Sequence, residues 1–174
     1  MFYVTTATSL SVVSSLSGMI RDARPGDTAD LLRLIRALAE YEREPDAVEA
    51  TAEGLSATLF RPHPSVYAHV AELDGRVVGM AIWFLAFSTW TGRHSLYLED
   101  IFVEPDVRGR GVGRALFARL ATRAAELGCA RMEWSVLDWN EPAMAFYRAC
   151  GARPMSGWTT WRLDGDALAR LATS

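Results

Sequence analysis

Lysine is missing from this chain of 174 residues, and all 18 basic side chains are arginine. That excludes mechanisms built on a lysine Schiff base and nucleotide loops that close on a lysine. Cysteine is scarce: Cys129 and Cys150 stand beside glycine or alanine at apparent helix ends. Two thiols in a chain of this length make no disulfide framework; they read as small buried hydrophobes in a reducing compartment. The three histidines, His63, His69 and His94, lack ligand spacing, so no metal site is expected. No apolar run approaches the ~18 residues of a membrane span. Net charge is −3, so nothing in the overall balance favours nucleic acid. A cytoplasmic protein with neither membrane nor nucleic-acid partners is expected.

What remains is an ordinary globular composition, 50% hydrophobic and 22% charged. A domain of this size buries roughly 70% of its unfolded surface and needs no covalent staples. Residues 1–18 carry no charged side chain, and serines at 9, 11, 14, 15 and 17 dilute their apolar stretch. Without a positive n-region they do not read as a signal peptide. They are expected to be an extension, disordered or not native, ahead of one domain over 19–174.

From Met19 the pattern alternates strand and helix. A short strand over 19–23 precedes a helix in which Asp27 caps and Leu31, Leu34, Ile35 and Leu38 form one stripe up to Tyr41. A second helix starts near Thr51 with Leu55 and Leu59 inward, and Pro62 and Pro64 end it. Strands over 66–73 and 76–87 are joined by Asp74-Gly75, a type I′ hairpin signal. A loop over 88–95 leads to a strand over 96–103. Val112, Leu116, Phe117, Leu120, Ala124 and Leu127 then mark a helix closed by Gly128. A strand over 131–137, a helix over 141–149 capped by Asn140, a last strand over 158–163 and a helical turn with Leu168 and Leu171 complete the order. Trp139 is expected in the core. The order β-α-α-β-β-β-α-β-α-β predicts an α/β (α+β) fold with a mixed, mostly antiparallel twisted sheet flanked by helices.

The most informative segment is Arg108-Gly109-Arg110-Gly111-Val112-Gly113, between a strand and a helix. Alternate glycines let a backbone turn its N–H groups toward a ligand, and the helix start behind them favours an anion. Arg108, Arg110, Arg114, Arg119 and Arg123 concentrate positive charge there, as a polyphosphate would require. A solvated basic turn is the plain alternative. The glycine spacing fits no dinucleotide fingerprint, although Glu133 falls about 20 residues on, as that fingerprint would ask.

The segment resembles the [RQ]-x-x-G-x-[GA] signature of the GNAT acetyltransferase superfamily. Leu98-Glu99-Asp100-Ile101-Phe102-Val103 before it, and Trp139-Asn140-Glu141-Pro142-Ala143 with Phe146-Tyr147 after it, extend the resemblance. Within the superfamily, Leu38-Ala39-Glu40-Tyr41-Glu42, Ser88-Thr89-Trp90, Gly92-Arg93 and Val136-Leu137-Asp138-Trp139-Asn140 resemble the diamine acetyltransferase branch of spermidine/spermine and thialysine acetyltransferases. The thialysine-like members look closer, because Ser88 stands where the polyamine enzymes tend to carry an acid.

The resemblance implies an acetyl-CoA-dependent N-acetyltransferase acting on a small-molecule amine, without a metal and as a homodimer. It implies that the loop from Arg108 to Arg114 holds the coenzyme A diphosphate. Backbone N–H groups of Ile101, Phe102 and Val103 would bind the pantetheine arm and polarise the thioester carbonyl. Asn140 would reach the cofactor's amide arm, or serve only as a cap.

Amine acetylation poses two proton problems: a lysine-like amine must lose a proton, and the departing thiolate must gain one. Glu99 is the expected base, with Asp100 as the second candidate and both as contacts for the acceptor, and Tyr147 is the expected acid; a salt bridge and a core packing role are the plain alternatives. Strand alternation would put Glu99 and Asp100 on opposite faces. Glu42, near Glu40 and Glu44, looks like the branch's acidic contact for a cationic acceptor, and Trp90 would close over the amine or make a cation–π contact. Two other readings stand beside this one: a non-catalytic coenzyme A sensor, and an acetyltransferase for protein amino groups.

Overall fold

One sheet carries five strands in chain order: Ile20–Asp22 (β1), Val66–Leu73 (β2), Arg76–Ser88 (β3), Arg93–Val103 (β4) and Met132–Glu133 (β5). The first four are antiparallel neighbours, and β5 joins β4 in parallel. The computed structural model describes residues 18–173, so the expected N-terminal extension lies, all but Gly18, outside the described residues. Helices Thr28–Tyr41 (α1), Ala52–Leu59 (α2) and Val112–Glu126 (α3) share a compact unit with the sheet, which ends at Ser135. Glu141–Ala149 (α4) and Gly165–Ala172 (α5) belong to a second unit that begins at Val136. The sheet is mixed, mostly antiparallel and flanked by helices, which is the fold class expected from the sequence.

Both sheet faces are buried. On one, Val112, Leu116, Leu120 and Ala124 of α3 recur every four residues and pack on Trp83, Leu96 and Leu98. On the other, Leu31 and Leu34 of α1 and Leu59 of α2 cover Val70, Met80 and Phe102. Each such side chain contributes about 1.5–3 kcal/mol on burial. Gly79 in β3 is required by this packing. A Cβ there would stand 3.0 Å from the Phe102 carbonyl oxygen and 3.3 Å from Leu116 Cδ1.

Local signals operate as expected at several joints. Asp74 and Gly75 both have positive φ (50° and 76°), as a type I′ turn needs. Thr51 caps α2 by accepting the Gly54 N–H at 3.1 Å. Asp27 differs. It precedes α1 but makes no side-chain cap; its carboxylate accepts from both Arg21 terminal nitrogens (2.7 and 2.8 Å) and from the Arg24 N–H. The guanidinium beside it holds the Asp27 carboxyl below its usual value. The carboxylate thus faces back toward β1 and the Arg24 N–H, where charge-assisted bonds hold it, and away from the first turn of α1.

Four other expectations are corrected. The Ser88↔Arg93 pair extends β4 back into the expected loop. β5 is two residues long rather than seven. Residues 158–163 form no strand, and Trp158 and Trp161 are exposed. A short alternating run becomes a strand only where another edge takes its backbone donors, and this run has none among the described residues. Leu127 and Trp139, expected in the core, are exposed instead; Leu127 already lies beyond the end of α3.

Gly79→Ala is expected to destabilise the fold by about 1–3 kcal/mol through overpacking. Urea unfolding would register this as a lower midpoint with an unchanged slope.

Candidate active site

The segment joining β4 to α3 ends in two left-handed glycines. Gly109 has φ +76°, and Gly111, the residue that caps α3, has φ +85°. A side chain at either position would strain the backbone. Gly111 offers no side-chain cap, and the first bond of the helix runs from the Ala115 N–H to the Gly111 carbonyl (2.9 Å). The N–H groups of Val112, Gly113 and Arg114 therefore have no acceptor within the helix. Gly113 is helical, and a Cβ there would meet only Val103 Cγ2 at 3.8 Å, an ordinary contact.

The five arginines of this region separate into two groups. Arg119 pairs with Glu126 and approaches Asp22, and Arg123 also pairs with Glu126. Arg108 turns back toward the sheet: its Nε–H donates to the Val103 carbonyl (2.8 Å), and its guanidinium carbon lies 5.1 Å from the Tyr41 ring centre and 5.3 Å from that of Phe102. Each such contact is worth about 0.5–1 kcal/mol at an exposed site. Arg110 and Arg114 are exposed and make no ion pair among the described residues.

β4 leads into this loop along an open edge. It pairs with β5 only at Leu96↔Met132 and Tyr97↔Glu133, so from Leu98 onward that side has no strand partner among the described residues. On the β3 side, the Glu104 N–H donates to the Val78 carbonyl (2.9 Å). Antiparallel alternation then turns Asp100 and Phe102 toward β3, and the N–H groups of Ile101 and Val103 toward the open edge. Phe102 puts its ring in the core.

A β-bulge sits at the carboxylates. Ile82 pairs with Asp100 but Trp83 pairs with Leu98, which leaves Glu99 as the extra residue. Leu98 and Ile101, three apart, consequently pack into the same core layer. The bulge interrupts the alternation on which the expectation of opposite faces for Glu99 and Asp100 rests; Glu99 is exposed and Asp100 partly buried. Burial, then the negative charges of Glu99 and Glu42, push the Asp100 carboxyl up to about 6.

Glu42 is the residue that ends α1. It is half-buried, and burial raises its carboxyl above the usual value. The helix end is held tightly: Arg43 has φ +68°, its N–H bonds the Glu40 carbonyl (3.2 Å), and the Glu44 N–H bonds that of Ala39 (2.9 Å). This is a Schellman turn with arginine at the position glycine usually takes. Glu42, Glu99 and Asp100 thus form one acidic cluster, and none of them has a cationic partner among the described residues.

Trp90 is not part of that cluster within one chain. The Ser88↔Arg93 pair places it at the hairpin tip, and it is 90% exposed. Ser88 lies six residue steps along β3 from Ile82, opposite Asp100, a span on the order of 20 Å. In the second unit, Asn140 is buried and its Oδ1 accepts the Ala143 N–H (3.2 Å), so it caps α4. The half-buried Tyr147 sets its ring edge-on to Phe146, centres 5.3 Å apart. Sequence reasoning missed Tyr41 as a partner of the loop, because its contact with Arg108 has no local signal. The bulge was equally hidden, since Leu-Glu-Asp-Ile reads as ordinary alternation.

Comparison with known proteins identifies the family. The acetyltransferase (GNAT) family profile matches residues 30–152. The chain is 41% identical over 165 residues to the thialysine N-epsilon-acetyltransferase of Bos taurus, covering 88% of this chain and 96% of that one. It is 34% identical to the human spermidine/spermine N(1)-acetyltransferase-like protein 1, covering 88% of this chain and 23% of that protein. Among solved structures, an integron cassette protein from the mobile metagenome of V. cholerae superposes with a TM-score of 0.75 at 28% identity, over 89% of this chain and 97% of that one. The chain belongs to the GNAT acetyltransferase family.

The raised Asp100 carboxyl has a consequence for stability. Between the ordinary carboxyl value of 3.8 and about 6, the folded state holds a proton that the unfolded state has released. Folding is therefore penalised as pH rises through that window, and fully so above it. Asp100→Asn is expected to stabilise the protein at pH 7.5, by at most on the order of 3 kcal/mol. In urea unfolding the gain should fade as pH falls to about 4.

Proposed function

We propose that this protein is an acetyl-CoA-dependent N-acetyltransferase that acts on the primary amine of a small cationic molecule of the thialysine or diamine type. The observation that carries the reading is the joint arrangement on β4. Its open edge leads into an uncapped helix start, and the same strand carries carboxylates that lack a cation. The residues present fit the cosubstrate. Left-handed glycines at 109 and 111 with the free N–H groups of Val112, Gly113 and Arg114 suit a diphosphate. Arg110 and Arg114 add open positive charge.

Acetyl-CoA supplies an acyl group activated as a thioester. The Ile101 and Val103 N–H groups hold its pantetheine arm, and donors on that edge polarise the acyl carbonyl. Glu42, Glu99 and Asp100 draw in the ammonium end of the acceptor. At neutral pH only on the order of one lysine-like amine in a thousand is the free base, a penalty of roughly 4 kcal/mol. Glu99, the base the resemblance implies, and Asp100 form a carboxylate pair that takes up the amine proton, and the elevated Asp100 carboxyl is the better matched to neutral pH. As the N–C bond forms and the C–S bond breaks, the departing sulfur takes up a proton; Tyr147, the acid the resemblance implies, would give its phenolic proton and regain one from solvent. Asn140 orders the start of the helix that carries Tyr147.

The relatives' names support a small amine acceptor, and Ser88 favours the thialysine-like type over the polyamine type. The reading takes 19–174 as one acetyltransferase domain that works as a homodimer in the cytoplasm. The exposed Phe87 and Trp90 on the β3–β4 hairpin give a second copy an apolar surface to cover.

Free-thiol release should follow when the protein, acetyl-CoA and thialysine are mixed. Tight acetyl-CoA binding without turnover of thialysine, spermidine, ornithine or a lysine peptide would convert the reading to a sensor. Tyr147→Phe is expected to lower kcat at least tenfold near neutral pH. The acid limb of the kcat/KM profile should rise through about pH 6 and be lost in Asp100→Asn, because that carboxyl must ionise before it can accept a proton. A limb unmoved by this substitution would return the base role to Glu99 alone.

A further inference from the structure

We propose that Arg108 is a positioning residue for the acceptor amine and does not touch the coenzyme A diphosphate; the proposal rests on the acetyltransferase reading above. The first arginine of the glycine loop is placed to serve phosphate by sequence, yet its side chain is engaged elsewhere. Its Nε–H is bonded to the Val103 carbonyl, and its guanidinium face lies against the rings of Tyr41 and Phe102. Arg110 and Arg114, in the same loop, have no ion-pair partner among the described residues and are the ones available to phosphate.

The three contacts of Arg108 join two elements that each carry one side of the acidic cluster. Phe102 and Val103 follow Asp100 on β4, and Tyr41 precedes Glu42 at the end of α1. Because the Arg43 turn fixes the backbone around Glu42, the place where Tyr41 is held decides where the Glu42 carboxylate stands. Arg108 therefore sets the distance between Glu42 and the Glu99–Asp100 pair. It also ties that distance to the position of the loop that binds the acyl donor. Loss of the guanidinium should release the end of α1 while the glycine backbone and the other two arginines keep their grip on the cosubstrate.

The test compares wild type, Arg108→Met, Tyr41→Leu and the double variant, with acetyl-CoA binding read by calorimetry and thialysine kinetics read by thiol release. Arg108→Met is expected to leave the acetyl-CoA Kd within twofold of wild type. It should raise the KM for thialysine at least tenfold, with kcat within about threefold, the pattern of lost acceptor binding. Tyr41→Leu, which keeps the arginine, should reproduce the KM effect, and the double variant should be no worse than either single one. The proposal is overturned if Arg108→Met weakens acetyl-CoA fivefold or more, if thialysine KM stays unchanged, or if the two substitutions add. Should Arg108→Met fail to fold, Tyr41→Leu decides alone: an unchanged thialysine KM overturns the proposal. Wild type that binds no acetyl-CoA at all would sink the acetyltransferase reading itself, an outcome distinct from any of these.

Discussion

β4 is held along its length by β3 on one side and by only two residues of β5 on the other, and the candidate site follows from that inequality. A fully paired central strand would have no backbone donors to offer a ligand. A strand unpaired on both sides would have no fixed direction. Here the β3 ladder fixes the parity of the open donors at Ile101 and Val103, while the early end of β5 leaves them uncovered. The strand then delivers the chain, through a turn at Pro105–Val107, to the glycines that start α3.

The bulge at Glu99 is the second consequence of the way β4 is built. An extra residue in one strand breaks the face-to-face alternation and adds twist. Here the bulge falls at adjacent acids, and the charge of Glu99 acts on the Asp100 carboxyl. Two buried apolar layers press on the sheet at this point, and Asp100 is desolvated beside Glu99, which stays exposed. Stability is given up to hold the Asp100 carboxyl there. The same compromise shows at the end of α1, where Arg43 adopts the left-handed conformation that usually goes to glycine.

Charge in the loop region illustrates how composition and contact differ. Five arginines in one stretch of sequence suggest a single basic patch. In the fold, two are tied to Glu126, one lies against aromatic rings, and two stay open. Arginine suits all three uses, because its guanidinium is planar, stacks on rings and presents several donors at once. Which use each residue takes depends on which neighbour arrives, not on its spacing from the glycines.

Much was legible before any fold was known. Helical stripes such as Leu31-Leu34 and Val112-Leu116-Leu120, the Asp74-Gly75 turn, the Thr51 and Asn140 caps and the glycine loop all depend on contacts within a few residues, and a linear sequence records those directly. The family resemblance drew on the same local blocks. The bulge at Glu99, the retreat of β5, the absence of a strand over 158–163, the distance of Trp90 from the acids and the embrace of Arg108 by Tyr41 and Phe102 were decided only in three dimensions. Each turns on which distant segment lies alongside, and pairing, burial and charge at those positions are properties of the neighbours that folding supplies.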